Sequence, residues 1–123
     1  MISEKFLQVL SYEGAAAFVT QGQEEPHLVN TWNSYIQVKG NNKIYFPAGG
    51  MKTTEENITK DNRVVMSVGC REVEGFHGPG TGFRIKGTAA FLTSGSEFEE
   101  VKQRFPWARA VVEITTQSIE QML

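Results

Sequence analysis

Lys43-Ile44-Tyr45-Phe46-Pro47-Ala48-Gly49-Gly50-Met51-Lys52-Thr53-Thr54-Glu55-Glu56-Asn57 sets a short apolar run, a glycine pair and a polar, helix-like segment end to end. The run Lys43 to Pro47 has the residue types of a strand. Thr53 stands three residues before Glu56, the spacing of a capping box at a helix start. Immediately upstream, Gly40-Asn41-Asn42 reads as a hairpin loop, which pairs this strand with a long one from His27 to Lys39. The junction has a chemical reading as well as a structural one. The first N–H groups of a helix have no internal partner and lie at the positive end of its dipole, so they attract anions. Glycines just before them let a ligand approach the main chain. An ordinary strand-turn-helix connection carries the same pattern, and on this stretch alone both readings stand.

Working outward, Ser3 caps a short first helix with Phe6, Val9 and Leu10 on one face, ending at Gly14. Ala15 to Thr20 reads as a strand of small residues and Gln21 to Pro26 as a polar turn. In the His27 to Lys39 strand, Leu28, Trp32, Ile36 and Val38 share a face. The junction helix ends near Asp61-Asn62. Arg63 to Val73 is apolar on both faces around Val64-Val65-Met66, as in a central strand. Glu74 to Gly82 reads as a loop because glycine and proline crowd into it, and Gly82 to Thr93 returns to strand. Ser96 and Glu99 form a second capping box for a helix that Pro106 stops, and Ala108 to Thr116 is the last strand. Six strands interrupted by about three short helices, without regular strand-helix alternation, predict a mainly β fold, a six-stranded antiparallel barrel. At 123 residues the chain is expected to be one domain, residues 1–123.

Composition narrows the function. Twelve basic residues stand against 14 acidic ones, a net of −2, and no basic run exceeds a dipeptide. Nucleic acid and anionic membrane surfaces, which demand a basic face, are not expected partners. Apolar stretches such as Ala15 to Val19 are far too short to span a bilayer, and Met1 leads into a polar segment with no signal-peptide pattern, so the expected location is the cytoplasm. Cys70 is the only cysteine and reads as a buried structural thiol; His27 and His77 have no companion ligand at metal spacing, so no metal is expected.

The strongest anomaly is Asn30-Thr31-Trp32-Asn33-Ser34, four small polar side chains and an indole in mid-strand. Buried polar side chains need partners. A planar heteroaromatic ligand would supply them, with Trp32 or Tyr35 packed beside it; a polar outer face with one core tryptophan is the structural alternative. The stretch His77-Gly78-Pro79-Gly80-Thr81-Gly82 lies between two strands and lacks the spacing of a dinucleotide fingerprint. Its glycines still permit close approach of backbone to a ligand, as would a plain hairpin loop. Phe105-Pro106-Trp107 and the terminal Met122-Leu123 either pack on their own domain or reach across a twofold interface. No nucleophile, base and acid arrangement emerges, so no catalytic side chain is assigned and any redox chemistry belongs to a cofactor.

The segments His27 to Tyr35, Pro47-Ala48-Gly49-Gly50-Met51, Gly78-Pro79-Gly80-Thr81-Gly82-Phe83 and Trp107-Ala108-Arg109-Ala110 closely resemble the small FMN-binding proteins of sulfate-reducing bacteria, which belong to the pyridoxamine-phosphate-oxidase-like split-barrel group. The resemblance runs in order over essentially the whole chain. It implies a homodimeric split β-barrel with one non-covalent FMN per subunit near the interface. It places Asn30, Thr31 and Trp32 along the isoalloxazine and ribityl region, with Tyr35 nearby and Ser34 in the same polar cluster. It places Gly49, Gly50, Met51 and Thr54 at the phosphate, and Pro47, Lys52 and Thr53 belong to that junction. Gly80, Thr81 and Gly82 would border the ring system, while Trp107 and Leu123 would approach from the partner subunit. One departure concerns charge: the family's lysine directly precedes the Thr-Glu pair, whereas here Thr53 does and the lysine is Lys52. The expected function is an FMN-dependent electron carrier with unnamed donor and acceptor. A flavin-dependent reductase or oxidase using NAD(P)H or a small organic substrate, and a flavin storage or sensor module, are the alternatives.

Overall fold

The computed structural model describes residues 1–123. Ser3 opens helix α1 (Glu4–Leu10): its Oγ accepts the Phe6 N–H at 3.1 Å, and Phe6 and Val9 are fully buried. Seven strands follow: β1 (Ala15–Gln21), β2 (Pro26–Trp32), β3 (Gln37–Lys39), β4 (Lys43–Ala48), β5 (Arg63–Gly75), β6 (Gly78–Leu92) and β7 (Ala110–Gln121). Helix α2 (Lys52–Lys60) lies between β4 and β5, and α3 (Ser96–Arg104) between β6 and β7. Every pairing is antiparallel, in the order β2-β1-β5-β6-β7-β4-β3.

The sheet is curled, and one contact demonstrates it. β1 and β4 are four positions apart in the order, which in a flat sheet is roughly 19 Å. Yet the rings of Phe18 and Phe46, one from each strand, meet edge to face with centroids 5.2 Å apart. The inner faces of β1, β4, β5, β6 and β7 therefore enclose one core, with α1 against it through Phe6, whose ring lies 5.5 Å from that of Phe83. The edge strands β2 and β3 do not pair with each other, so the barrel is split. A second small cluster, Tyr45, Phe98, Val101 and Val111, seats α3 on the opposite face of β4 and β7.

Several local expectations change. There are seven strands rather than six, because His27 to Lys39 is not one strand: a one-turn helix at Asn33–Tyr35 breaks it, and β3 goes to the far edge of the sheet. The Asn33 side chain causes the break. It is fully buried, and its amide donates to the Tyr12 carbonyl at 3.1 Å and the Gly69 carbonyl at 3.0 Å, so the chain is held where it leaves the sheet. Leu28 and Trp32 consequently face outward and are exposed, while Ile36 beyond the turn is buried. Neither expected capping box forms. α2 begins at Lys52, before Thr53, behind a left-handed Met51 (φ 64°), and α3 begins at Ser96 behind Gly95 (φ 100°). In both cases the backbone turns sharply enough that no side chain reaches back as a cap. The expected loop from Glu74 to Gly82 is mostly strand: Glu74 pairs with Pro79 and Gly75 with Gly78 around a tight turn at Phe76-His77. The last strand begins at Ala110, not Ala108, and runs on to Gln121. Cys70 is half-buried rather than buried.

Register also defines an outer face. Leu28, Val19 and Val65 form one cross-strand row; Asn30, Ala17 and Ser67 form the next; Trp32 and Ala15 begin a third. This part of β2, β1 and β5 carries no charged side chain, and Leu28, Trp32 and Val65 on it are exposed. No helix is long and apolar enough to cross a membrane.

Candidate functional site

The Pro47–Asn57 stretch forms the junction its sequence suggests, with a different cap. Pro47 is buried, Gly49 and Gly50 are exposed, and the first bond of α2 runs from the Glu55 N–H to the Met51 carbonyl at 2.9 Å. The N–H groups of Lys52, Thr53 and Thr54 thus remain free at the positive end of a nine-residue helix. Thr54 is completely buried and its Oγ1 has no hydrogen-bond partner. A methyl group built on Gly50 would meet nothing within 4 Å, whereas one on Gly49 would lie 3.3 Å from the Trp107 ring. Lys52 and Thr53 are exposed, and Thr53 borders a polar cleft of about 500 Å³ against the Gln21 to His27 turn.

Arg109, which sequence reasoning did not place in the site, arrives here from 59 residues away. Its guanidinium donates to the Gly50 carbonyl at 2.8 Å and pairs with the Glu55 carboxylate at 2.9 Å. Its backbone N–H donates to the Ala48 carbonyl at 3.0 Å, and its Nε is buried without a partner. No local pattern marks it, because its partners lie on another segment.

The polar cluster at the end of β2 is satisfied largely by the chain itself. Asn30 donates to the Ala16 carbonyl at 3.2 Å, and Asn33 holds the end of α1. The Ser34 N–H and hydroxyl donate to the Glu13 carboxylate at 3.0 and 2.6 Å. The Ser34 hydroxyl bond, then its backbone bond, holds the Glu13 carboxyl below the usual carboxylate range. Glu13 is a second residue missed in the sequence. Thr31 is buried and Trp32 half exposed. Tyr35 packs within its own chain against Phe105 (4.8 Å) and Trp107 (5.8 Å).

The third group surrounds a cavity of about 660 Å³ whose walls include Gly80, Thr81, Gly82, Leu123, Cys70 and Ala15. The Thr81 hydroxyl donates to the Leu123 carbonyl at 2.7 Å and the Met122 N–H to the Gly82 carbonyl at 2.8 Å, which fixes the chain end as one wall. Ala15, one of its walls, pairs with Trp32 across the β1–β2 ladder, though Trp32 itself does not line the cavity. None of the junction residues lines it. One chain therefore presents the expected residues as separate groups, the glycine-helix junction, the polar end of β2 and an apolar cavity.

The family model for pyridoxamine 5'-phosphate oxidase matches residues 2–123. The chain belongs to that family. Among curated relatives of this pyridoxamine 5'-phosphate oxidase family member is an FMN-binding protein of Nitratidesulfovibrio vulgaris (strain DSM 19637 / Miyazaki F), 54% identical over 123 residues and covering 100% of both chains. The resemblance drawn from the sequence is thereby borne out. Solved structures share the fold at low identity. HupZ of Group A Streptococcus has a TM-score of 0.82 at 18% identity, covering 99% of this chain and 94% of that one. An FMN-binding protein from Syntrophomonas wolfei has a TM-score of 0.70 at 16% identity, covering 88% and 76%.

Proposed function

We propose that this member of the pyridoxamine 5'-phosphate oxidase family is an FMN-binding electron carrier, with residues 1–123 acting as one domain and two copies forming a homodimer around the cofactor. The observation that carries the reading is the open junction: uncapped N–H groups of α2, open space at Gly50 and the orphaned hydroxyl of Thr54 fit a phosphomonoester. Gly49, Gly50, Met51, Thr53 and Thr54 hold the phosphate end, with the Lys52 ammonium exposed beside them. Asn30, Thr31, Trp32, Ser34 and Tyr35 flank the ribityl chain and ring, and Gly80, Thr81 and Gly82 border the isoalloxazine. Bound FMN supplies one- and two-electron transfer; the chain holds it, shields it from water and sets its access.

The dimer reading rests on two features. The charge-free outer face of β2, β1 and β5 exposes Leu28, Trp32 and Val65 side by side, a patch that a second copy would bury. The two ligand groups also lie apart in one chain, so a twofold partner would complete each site with its own Trp107 and Leu123. Purified protein should be yellow, and FMN fluorescence should be quenched on titration because Trp32 and Tyr35 lie near the ring. A colourless protein that leaves FMN emission unchanged would reject the reading. Sedimentation equilibrium should give a dimer, with Trp32→Glu shifting it to monomer.

A reductase or oxidase acting on a small organic molecule is the second reading, favoured by the room in the cavity beside Gly82. NAD(P)H oxidation by the holoprotein well above that of free FMN would support it over a carrier.

A further inference from the structure

We infer that Arg109 is the residue that makes the α2 N-terminus select a phosphate-bearing flavin over riboflavin, an inference that rests on the FMN reading above. Two negative features stand at the mouth of the junction and would repel a phosphate. One is the carbonyl oxygen of Gly50, two residues before α2; the other is the Glu55 carboxylate, on the fourth residue of α2. A carboxylate in the first turn already satisfies the helix dipole, and a second anion entering there meets like charge.

A single guanidinium engages both features, at 2.8 Å and 2.9 Å. The pair is partly shielded, with side-chain exposures of 26% for Arg109 and 31% for Glu55, so water screens it incompletely. The guanidinium carbon lies 5.8 Å from the Phe91 ring centroid and the Arg109 N–H is tied to Ala48, which fixes the cation beside the glycines. Lys52 is exposed, and its ammonium joins none of the chain's five ion pairs. Its charge sits on a mobile stem in water, where it is worth little. Arg109 thus acts as a positioning and charge-balancing residue: it cancels Glu55, ties back the Gly50 carbonyl, and leaves the free N–H groups and Thr54 to the incoming phosphate. Riboflavin has no phosphate and would be indifferent to this arrangement.

The test compares FMN and riboflavin dissociation constants, by fluorescence titration of the flavin-free full chain, for the unaltered protein and for Arg109→Gln, Glu55→Gln and the double variant, with thermal melts alongside. Arg109→Gln should weaken FMN at least about tenfold while riboflavin stays within about twofold, and adding Glu55→Gln should recover about threefold or more. Glu55→Gln alone should hold or tighten FMN, a check that remains if Arg109→Gln folds poorly. FMN affinity unchanged in Arg109→Gln, equal losses for both flavins, no recovery in the double variant, or a tenfold FMN loss in Glu55→Gln would each overturn the assignment. If the unaltered protein binds neither flavin, the FMN reading itself fails; if it binds FMN and Arg109→Gln binds it equally, only the role of Arg109 fails.

Discussion

Two glycine-bearing stretches, Gly49-Gly50 before α2 and Gly75 to Gly82 across the β5–β6 hairpin, have similar composition and different physical demands. At the first, a methyl added to Gly50 would point into open space, and the unusual backbone angle falls on its neighbour Met51. At the second, the missing side chains of Gly75 and Gly82 make room for backbone, while Gly78 and Gly80 take positive φ. A methyl on Gly75 would lie 2.2 Å from the Gly80 carbonyl oxygen, and one on Gly82 would lie 2.9 Å from that of Val68. Glycine thus leaves access for a ligand in one place and lets strands crowd together in the other. That crowding brings Thr81 and the chain end to one wall, the wall proposed above to border the flavin ring.

The contrast can be broken by substitution. The largest effect is expected for Gly75→Ala, which forces backbone apart and should cost about 2–3 kcal/mol in urea unfolding; a loss below about 0.5 kcal/mol would show that the hairpin relaxes freely. Gly50→Ala should leave stability within about 0.5 kcal/mol but weaken FMN about tenfold, close to 1.4 kcal/mol, by titration. Equal losses of stability at both sites would erase the distinction.

The strand leading to the junction offers a pH test. Burial, reinforced by the hydrogen bond to Glu113, pushes the Tyr45 phenol up to about 12. Since the folded value exceeds the unfolded value of about 10, the stability it contributes is intact below pH 10 and is lost as pH rises towards 12. Thermal melts should therefore fall across that window in the unaltered protein, with the drop reduced in Tyr45→Phe. Hydrogen exchange should show β4 loosening before the β5–β6 hairpin. The smallest effect is expected at Lys52: Lys52→Ala should change FMN affinity by no more than about twofold, and a tenfold loss would transfer the charge role from Arg109 to it.

Residues that announce themselves through nearest neighbours were legible in the chain. Ser3 capping α1, the hairpin at Gly40 to Asn42, β5 in the interior of the sheet and the helix start after Gly50 all rest on spacing of a few residues. The caps of α2 and α3 were misread because the sequence spacing of a capping box says nothing about a left-handed Met51 or a turning Gly95. The polar run from Asn30 to Ser34 was recognised as anomalous. Its cause, Asn33 pinning the crossing from one sheet edge to the other, involves Tyr12 and Gly69 and has no local signature.

Alternation, turn chemistry and glycine placement were enough for a mainly β, antiparallel chain with short helices and a candidate anion site, because each depends on backbone preferences over a handful of residues. Closure of the barrel, the charge-free outer face and the approach of Arg109 to Gly50 and Glu55 depend instead on which distant segments share the core. Phe18 meeting Phe46 curls the sheet, and the antiparallel pairing of β4 with β7 sets Ala110 opposite Ala48, with Arg109 just beyond. The charge that balances the junction comes from there, supplied by long-range packing that no local pattern encodes.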